Sequence, residues 1–168
     1  MEATNKYKEL AKYIDQFANL NVLIRNGVSA PHKPILLLTI ISLIESGDIW
    51  ENAIRPTDKV RAIFEALWMN HVHKESPFAI APWTPFWHLK NEPFWHFKPK
   101  KLGFDIDNLV GPGQTASIGQ IRDNIDYAYL DTELFEILQD KEFRVILQRQ
   151  LIETYLSEKE YTMKTSWI

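Results

Sequence analysis

The chain contains no cysteine. Disulfide frameworks and thiolate metal sites are therefore excluded, which suits a reducing cytoplasm. No long hydrophobic run is present either. The longest, Ile35 to Ile44, is interrupted by Thr39 and Ser42 and is too short to cross a bilayer, so no membrane partner is expected. The start, MEATNKYKEL, has an acidic residue at position 2 and no apolar stretch, and does not read as a signal peptide. Neither a linker nor a low-complexity segment divides the sequence, so residues 1–168 are expected to form one domain. Excess charge is missing too: the net charge of −3 argues mildly against nucleic acid when taken as an average.

What is present is a foldable core, with 45% hydrophobic and 24% charged residues. Leu10, Tyr13, Ile14, Phe17, Leu20 and Leu23 recur at three- and four-residue steps and predict an amphipathic helix over 4–24. Gly27 and Pro31 break it. A second helix, 34–45, is apolar nearly all round and should be buried. A short strand is expected at 52–55, and Pro56-Thr57 opens a third helix reaching about His73. Residues 99–116 read as an irregular loop. Ser117 can cap a short helix holding Gln120, Arg122 and Asn124, and two further helices are expected over 131–139 and 141–157. The fold class this predicts is α+β and mainly helical: helices packed around a small antiparallel sheet or β-hairpin, resembling a winged helix.

One stretch stands out. PFWHLKNEPFWH, residues 85–96, spells Pro-Phe-Trp-His twice, using two of six tryptophans and two of five histidines. Period-two alternation predicts the two arms of one β-hairpin turning at Lys90-Asn91-Glu92-Pro93, with aromatic pairs facing across it. Residues 84–104 also carry four lysines, Lys90, Lys98, Lys100 and Lys101, against Glu92 alone. Residues 131–160 hold eight acids and four bases. A basic, aromatic face on an acidic body is a better nucleic-acid signal than overall charge, although KPKK by itself reads equally as a solvated loop.

Catalysis finds no support. His71 and His73 diverge by about 200° on a helix and cannot share one ion unless the helix has ended. His88 and His96 lie downstream, but no HExxH or carboxylate cluster joins any of the four. No GxSxG is present, and Ser29 and Ser117 sit in turn and cap contexts. Gly111-Pro112-Gly113 places a proline where a phosphate loop needs an amide. No HNH-type signature is found. The chain is expected to be a binding module that needs no cofactor or metal and is not itself an enzyme.

A binding site has more to stand on. Ala30-Pro31-His32-Lys33-Pro34 precedes the buried helix, and Pro34 suits its first turn, where a missing amide costs nothing. The positive end of the helix dipole then points at His32 and Lys33, with Arg25 a few residues earlier, a combination suited to phosphate. An ordinary Pro-started helix with a solvated lysine fits the same stretch.

APHKPILLLTIISLIESGDI, followed about forty residues later by TPFWHLKNEPFWHF, resembles the sulfur-binding domain of phosphorothioate-dependent, HNH-type restriction endonucleases. The resemblance covers residues 5–157. It implies binding of double-stranded DNA in which sulfur replaces a non-bridging phosphate oxygen, within a restriction–modification setting and a cytoplasmic location. It also implies a fused or associated nuclease domain, which is not expected within these residues. The sulfur pocket would be built from the turn at Thr84, Pro85 and Phe86 and the loop at Pro31, His32 and Lys33. Arg25 would contact phosphate or base. Thr84 stands where the family has tyrosine, and His88 where a small residue often sits. Lys98, Lys100, Lys101 and Arg122 complete the expected DNA-facing set. Two other readings remain open at this stage: a winged-helix-like DNA binder indifferent to sulfur, and a protein-interaction domain that docks a partner on its Trp/Phe hairpin.

Overall fold

The computed structural model of the chain describes residues 2–156. Helix α1 (Glu2–Ala18) buries Leu10, Tyr13 and Phe17 along one stripe. It ends earlier than its apolar periodicity suggested, leaving residues 19–23 as a connector, with Leu23 65% exposed instead of packed in the core. A two-residue hairpin follows, β1 (Ile24–Arg25) against β2 (Val28–Ser29). Its turn residues Asn26 and Gly27 both have positive φ, 53° and 77°, the conformation that the Asn-Gly pair favours in tight hairpins.

Helix α2 (His32–Glu45) is the centre of the fold. Ile35 through Ile41 are all buried, as a helix apolar on every face requires. It is flanked by α3 (Asp58–His71), α4 (Trp83–His88) and α7 (Lys141–Tyr155), while α1 packs on α7 and on α6 (Thr132–Ile137). Thr57 caps α3 by accepting from the Val60 amide. Ser117 and Gln120 form a reciprocal capping box at the start of α5 (Ile118–Asn124). The last helix stops at Tyr155; the end expected for it at residue 157 lies outside the described residues.

The mainly helical α+β class is observed, but the expected hairpin of the repeat is not. The first Pro-Phe-Trp-His copy is helical, lying in α4 and leading into a 3-10 turn at Leu89–Asn91. The second copy enters strand β3 (Trp95–Pro99), which pairs antiparallel with β4 (Ile125–Leu130), from Trp95 opposite Leu130 to Lys98 opposite Tyr127. Two causes combine. A proline fits the first turn of a helix but offers no amide to a ladder, and an apolar run as short as Phe-Trp matches either period. Strict alternation also fails: Phe86 and Trp87 are buried together, at 0% and 1% exposure. Phe94 and Trp95 are buried too, so the repeat's phenylalanines and tryptophans belong to the core and offer no surface for docking a partner.

The strand expected at 52–55 is a single bridge, Ile54 to Ala128. Of residues 99–116, expected as an irregular loop, Pro99 ends β3, and beyond it the regular element is a 3-10 turn at Ile106–Asn108. None of the described helices is long and apolar enough to cross a membrane.

Candidate nucleic-acid interface

Four pieces of chain converge on one cavity of about 560 Å³. The connector contributes Asn21, Val22 and Leu23, and the entry to α2 contributes Ala30, His32 and Lys33. Helix α4 and the turn after it supply Thr84, Pro85, His88 and Asn91. The loop before α5 adds Gly113 and Thr115. Its walls are mixed: Val22, Leu23, Ala30 and the Pro85 ring are apolar, while the imidazoles and hydroxyls are polar. His32, Lys33, Thr84, Pro85 and His88, spread over more than fifty residues of sequence, thus line the same cavity.

His32 is the first residue of α2. Its Nε2 lies 2.8 Å from the Ala79 carbonyl oxygen, which can only accept, so Nε2 carries the proton and Nδ1 is left as the acceptor. The ring packs against Trp68 and Phe78, and the Arg25 guanidinium lies 5.2 Å from the centre of the Phe78 ring. Burial pushes the His32 pKa below the ordinary histidine value. The Ala79 bond works in the opposite sense, and the Arg25 charge adds to the lowering.

His88 ends α4, with Nε2 at 2.7 Å from Thr115 Oγ1. Its pKa is also lowered, first by burial and then by the charges of Lys33 and Lys90. The same loop is held a second time, by the Trp87 indole donating to the Gln114 carbonyl at 3.2 Å. Gly113 has a φ of 75°, which a side-chain-bearing residue would adopt only with strain.

Lys33 is not a solvated lysine. It is 7% exposed, and its Nζ donates to Glu92 Oε2 at 2.6 Å and to the Asn21 carbonyl at 2.7 Å. Phe86 faces away from the cavity into the core, stacking on Phe97. Pro31 is buried at the N-cap of α2 and is not one of the cavity walls. Arg25 is exposed on β1. Lys98 on β3, and Lys100 and Lys101 beyond it, are exposed but do not line the cavity. Arg122 sits 6.0 Å over the Trp83 ring and donates to the Pro56 carbonyl.

Sequence reasoning missed Asn21, Val22, Leu23, Asn91, Gly113 and Thr115 as walls, and Glu92 as the partner of Lys33. Only the Gly-Pro-Gly turn carried a local sign, that of a tight bend. Among the described residues no group of three or more histidine, aspartate or glutamate side chains is placed to hold a metal ion.

The family described as ScoMcrA-like, DNA sulfur-binding domain matches residues 10–163, and the chain belongs to it. No curated protein matches the chain.

Proposed function

We propose that this member of the DNA sulfur-binding family recognises phosphorothioate-modified double-stranded DNA by seating the sulfur against the Pro85 side of the cavity. It does so as a binding module without chemistry of its own, targeting a fused or associated restriction endonuclease. The observation that carries this reading is the cavity itself, where the Pro85 ring, Val22, Leu23 and Ala30 lie beside the start of α2.

The physical logic is one of contrast. Replacing a non-bridging oxygen by sulfur keeps the negative charge but makes the atom larger, more polarisable and a poor hydrogen-bond acceptor. An oxygen entering an apolar corner must shed water without recovering its hydrogen bonds, whereas sulfur loses little. Neutral His32 and His88 keep the cavity from attracting any phosphate equally. Arg25, Lys98, Lys100, Lys101 and Arg122 supply contacts to the backbone that every duplex shares, which position the module without reading the modification.

The decisive measurement is a titration at moderate salt with matched duplexes, one carrying a phosphorothioate linkage. The modified duplex is expected to bind at least about tenfold tighter, ~1.4 kcal/mol. Equal affinities would sink the sulfur reading and leave a DNA binder indifferent to the modification.

A further inference from the structure

Residues 19–23 have no helix or sheet of their own, yet their backbone is gripped at several points by side chains from distant elements. The Tyr155 hydroxyl, from α7, accepts from the Leu20 amide at 2.9 Å and donates to the Phe17 carbonyl. Asn21 is held on both sides: its amide donates to Glu92 Oε2 at 3.0 Å and its carbonyl accepts from Lys33 Nζ at 2.7 Å. Leu23 accepts from the Ala30 amide at 2.7 Å. Lys33 and Glu92, themselves 2.6 Å apart, are the buried charges of this arrangement, at 7% and 4% exposure.

We infer that the Lys33–Glu92 pair is the positioning device of the cavity: it sets the Asn21–Leu23 wall, and Lys33 acts on DNA through that wall instead of by touching phosphate. Two observations carry this. The wall and the lysine line the same cavity, together with Pro85 and His88. And the lysine's charge is already met by a carboxylate oxygen at contact distance, so an approaching phosphate sees a nearly neutral pair. Pulling Nζ towards DNA would leave the Glu92 carboxylate without its counter-charge and the Asn21 carbonyl without the lysine donor, a large cost in a buried setting. Only the Leu23 end of the connector is joined to the β1–β2 ladder, so the positions of Leu20 and Asn21 depend on these side chains.

The inference rests on the sulfur-recognition reading, and the test separates the two. Lys33→Met alone leaves a buried carboxylate unpaired and can fail to fold. The Lys33→Met/Glu92→Leu variant removes both charges and is the better probe, because apolar replacement of a buried pair is often tolerated. Its binding to phosphorothioated and plain duplexes is measured at several salt concentrations beside the unaltered chain. A fall in the preference for the modified duplex of about fivefold or more, with the salt slope unchanged, is expected if the pair positions the wall. A slope reduced by about one unit, with both duplexes weakened alike, means that Lys33 touches phosphate and overturns the inference. An undiminished preference overturns it as well.

Amine labelling of the unaltered chain gives a second readout independent of folding in the variant. Lys33 is expected to resist labelling both free and bound to DNA. A Lys33 that labels when free and is protected by DNA overturns the inference. If the unaltered chain shows no preference for sulfur, the proposed function fails, while the labelling still decides whether Lys33 is a phosphate contact.

Discussion

Trp87, in the first copy of the repeated Pro-Phe-Trp-His, stacks on Phe97, the residue after the second copy, with ring centroids 5.7 Å apart and planes 18° from parallel. Phe86 stacks on the same ring at 5.9 Å. The two copies therefore meet as helix against strand, and Phe97 serves as the plate on which α4 rests. Because Pro85 and His88 flank the Phe86-Trp87 pair that rests on that plate, the aromatic repeat supports the cavity without entering it. The Lys90 ammonium lies 5.1 Å over the other partner of the stack, Trp87.

Phe97→Ala removes the plate. It is expected to destabilise the fold by about 2–3 kcal/mol, at or below the low end for phenylalanine truncations because Phe97 is only partly buried. The check is a lower urea midpoint with an unchanged slope. Under conditions where the variant is still folded, preference for modified DNA should weaken as well, since α4 carries three of the cavity's lining residues, Thr84, Pro85 and His88. A destabilised variant with intact preference would disconnect the stack from the site.

Pro85→Gly tests the sulfur seat without touching a charge. Losing the ring should weaken the modified duplex by roughly 1–2 kcal/mol, the size of the apolar contact removed. Plain duplex should hardly respond. Equal weakening of both, with circular dichroism unchanged, would show that the proline is not the sulfur reader.

Arg25→Ala removes an exposed guanidinium from the hairpin next to the cavity. Both duplexes should weaken by similar factors, and the salt slope should fall by about one unit if one phosphate contact is lost. Alanine at Lys98, Lys100 and Lys101 together should act in the same manner, because none of them lines the cavity. A selective loss of modified-DNA binding in either variant would contradict this division between holding and reading.

The cavity histidines make recognition depend on pH, with a definite sign. Burial lowers the pKa of both His32 and His88 in the folded chain. As pH falls below about 6.5, the unfolded chain therefore takes up protons before the folded one, and stability declines until the folded pKa values are passed. The contribution of these groups to stability is fully present above that range. Denaturation midpoints should drop between pH 7 and pH 5, and the drop should shrink in His88→Asn. Binding moves the other way: a protonated His88 adds a positive charge to the cavity and attracts phosphate and phosphorothioate alike. Affinity for both duplexes should rise on acidification while the ratio between them falls. A constant ratio across a pH range in which His88 titrates by NMR would argue against its place beside the sulfur.

Much of this molecule was legible one residue at a time. The largely apolar run 35–44 announced a buried helix, and Thr57 and Ser117 announced caps, each a local signal; the segments 31–34 and 84–87, singled out together as a candidate site, both contribute walls to one cavity. Apolar period alone could not settle the repeat, because Phe86-Trp87 suits a helix as well as a strand. The outcome depended on β4, about thirty residues further on, becoming the partner of Trp95–Pro99. Leu23 continued the period of α1 and nevertheless left it, since side chains from α2, α7 and the turn after α4 hold the connector out as a cavity wall. Lys33 shows the difference most sharply. Its sequence neighbours present a basic residue at a helix start, and its charge could only be judged once Glu92, fifty-nine positions away, was brought within 2.6 Å. Residue type and local period determine which elements can form. Desolvation and the arrival of distant partners determine which charges remain available to a ligand, and those are properties of the tertiary structure alone.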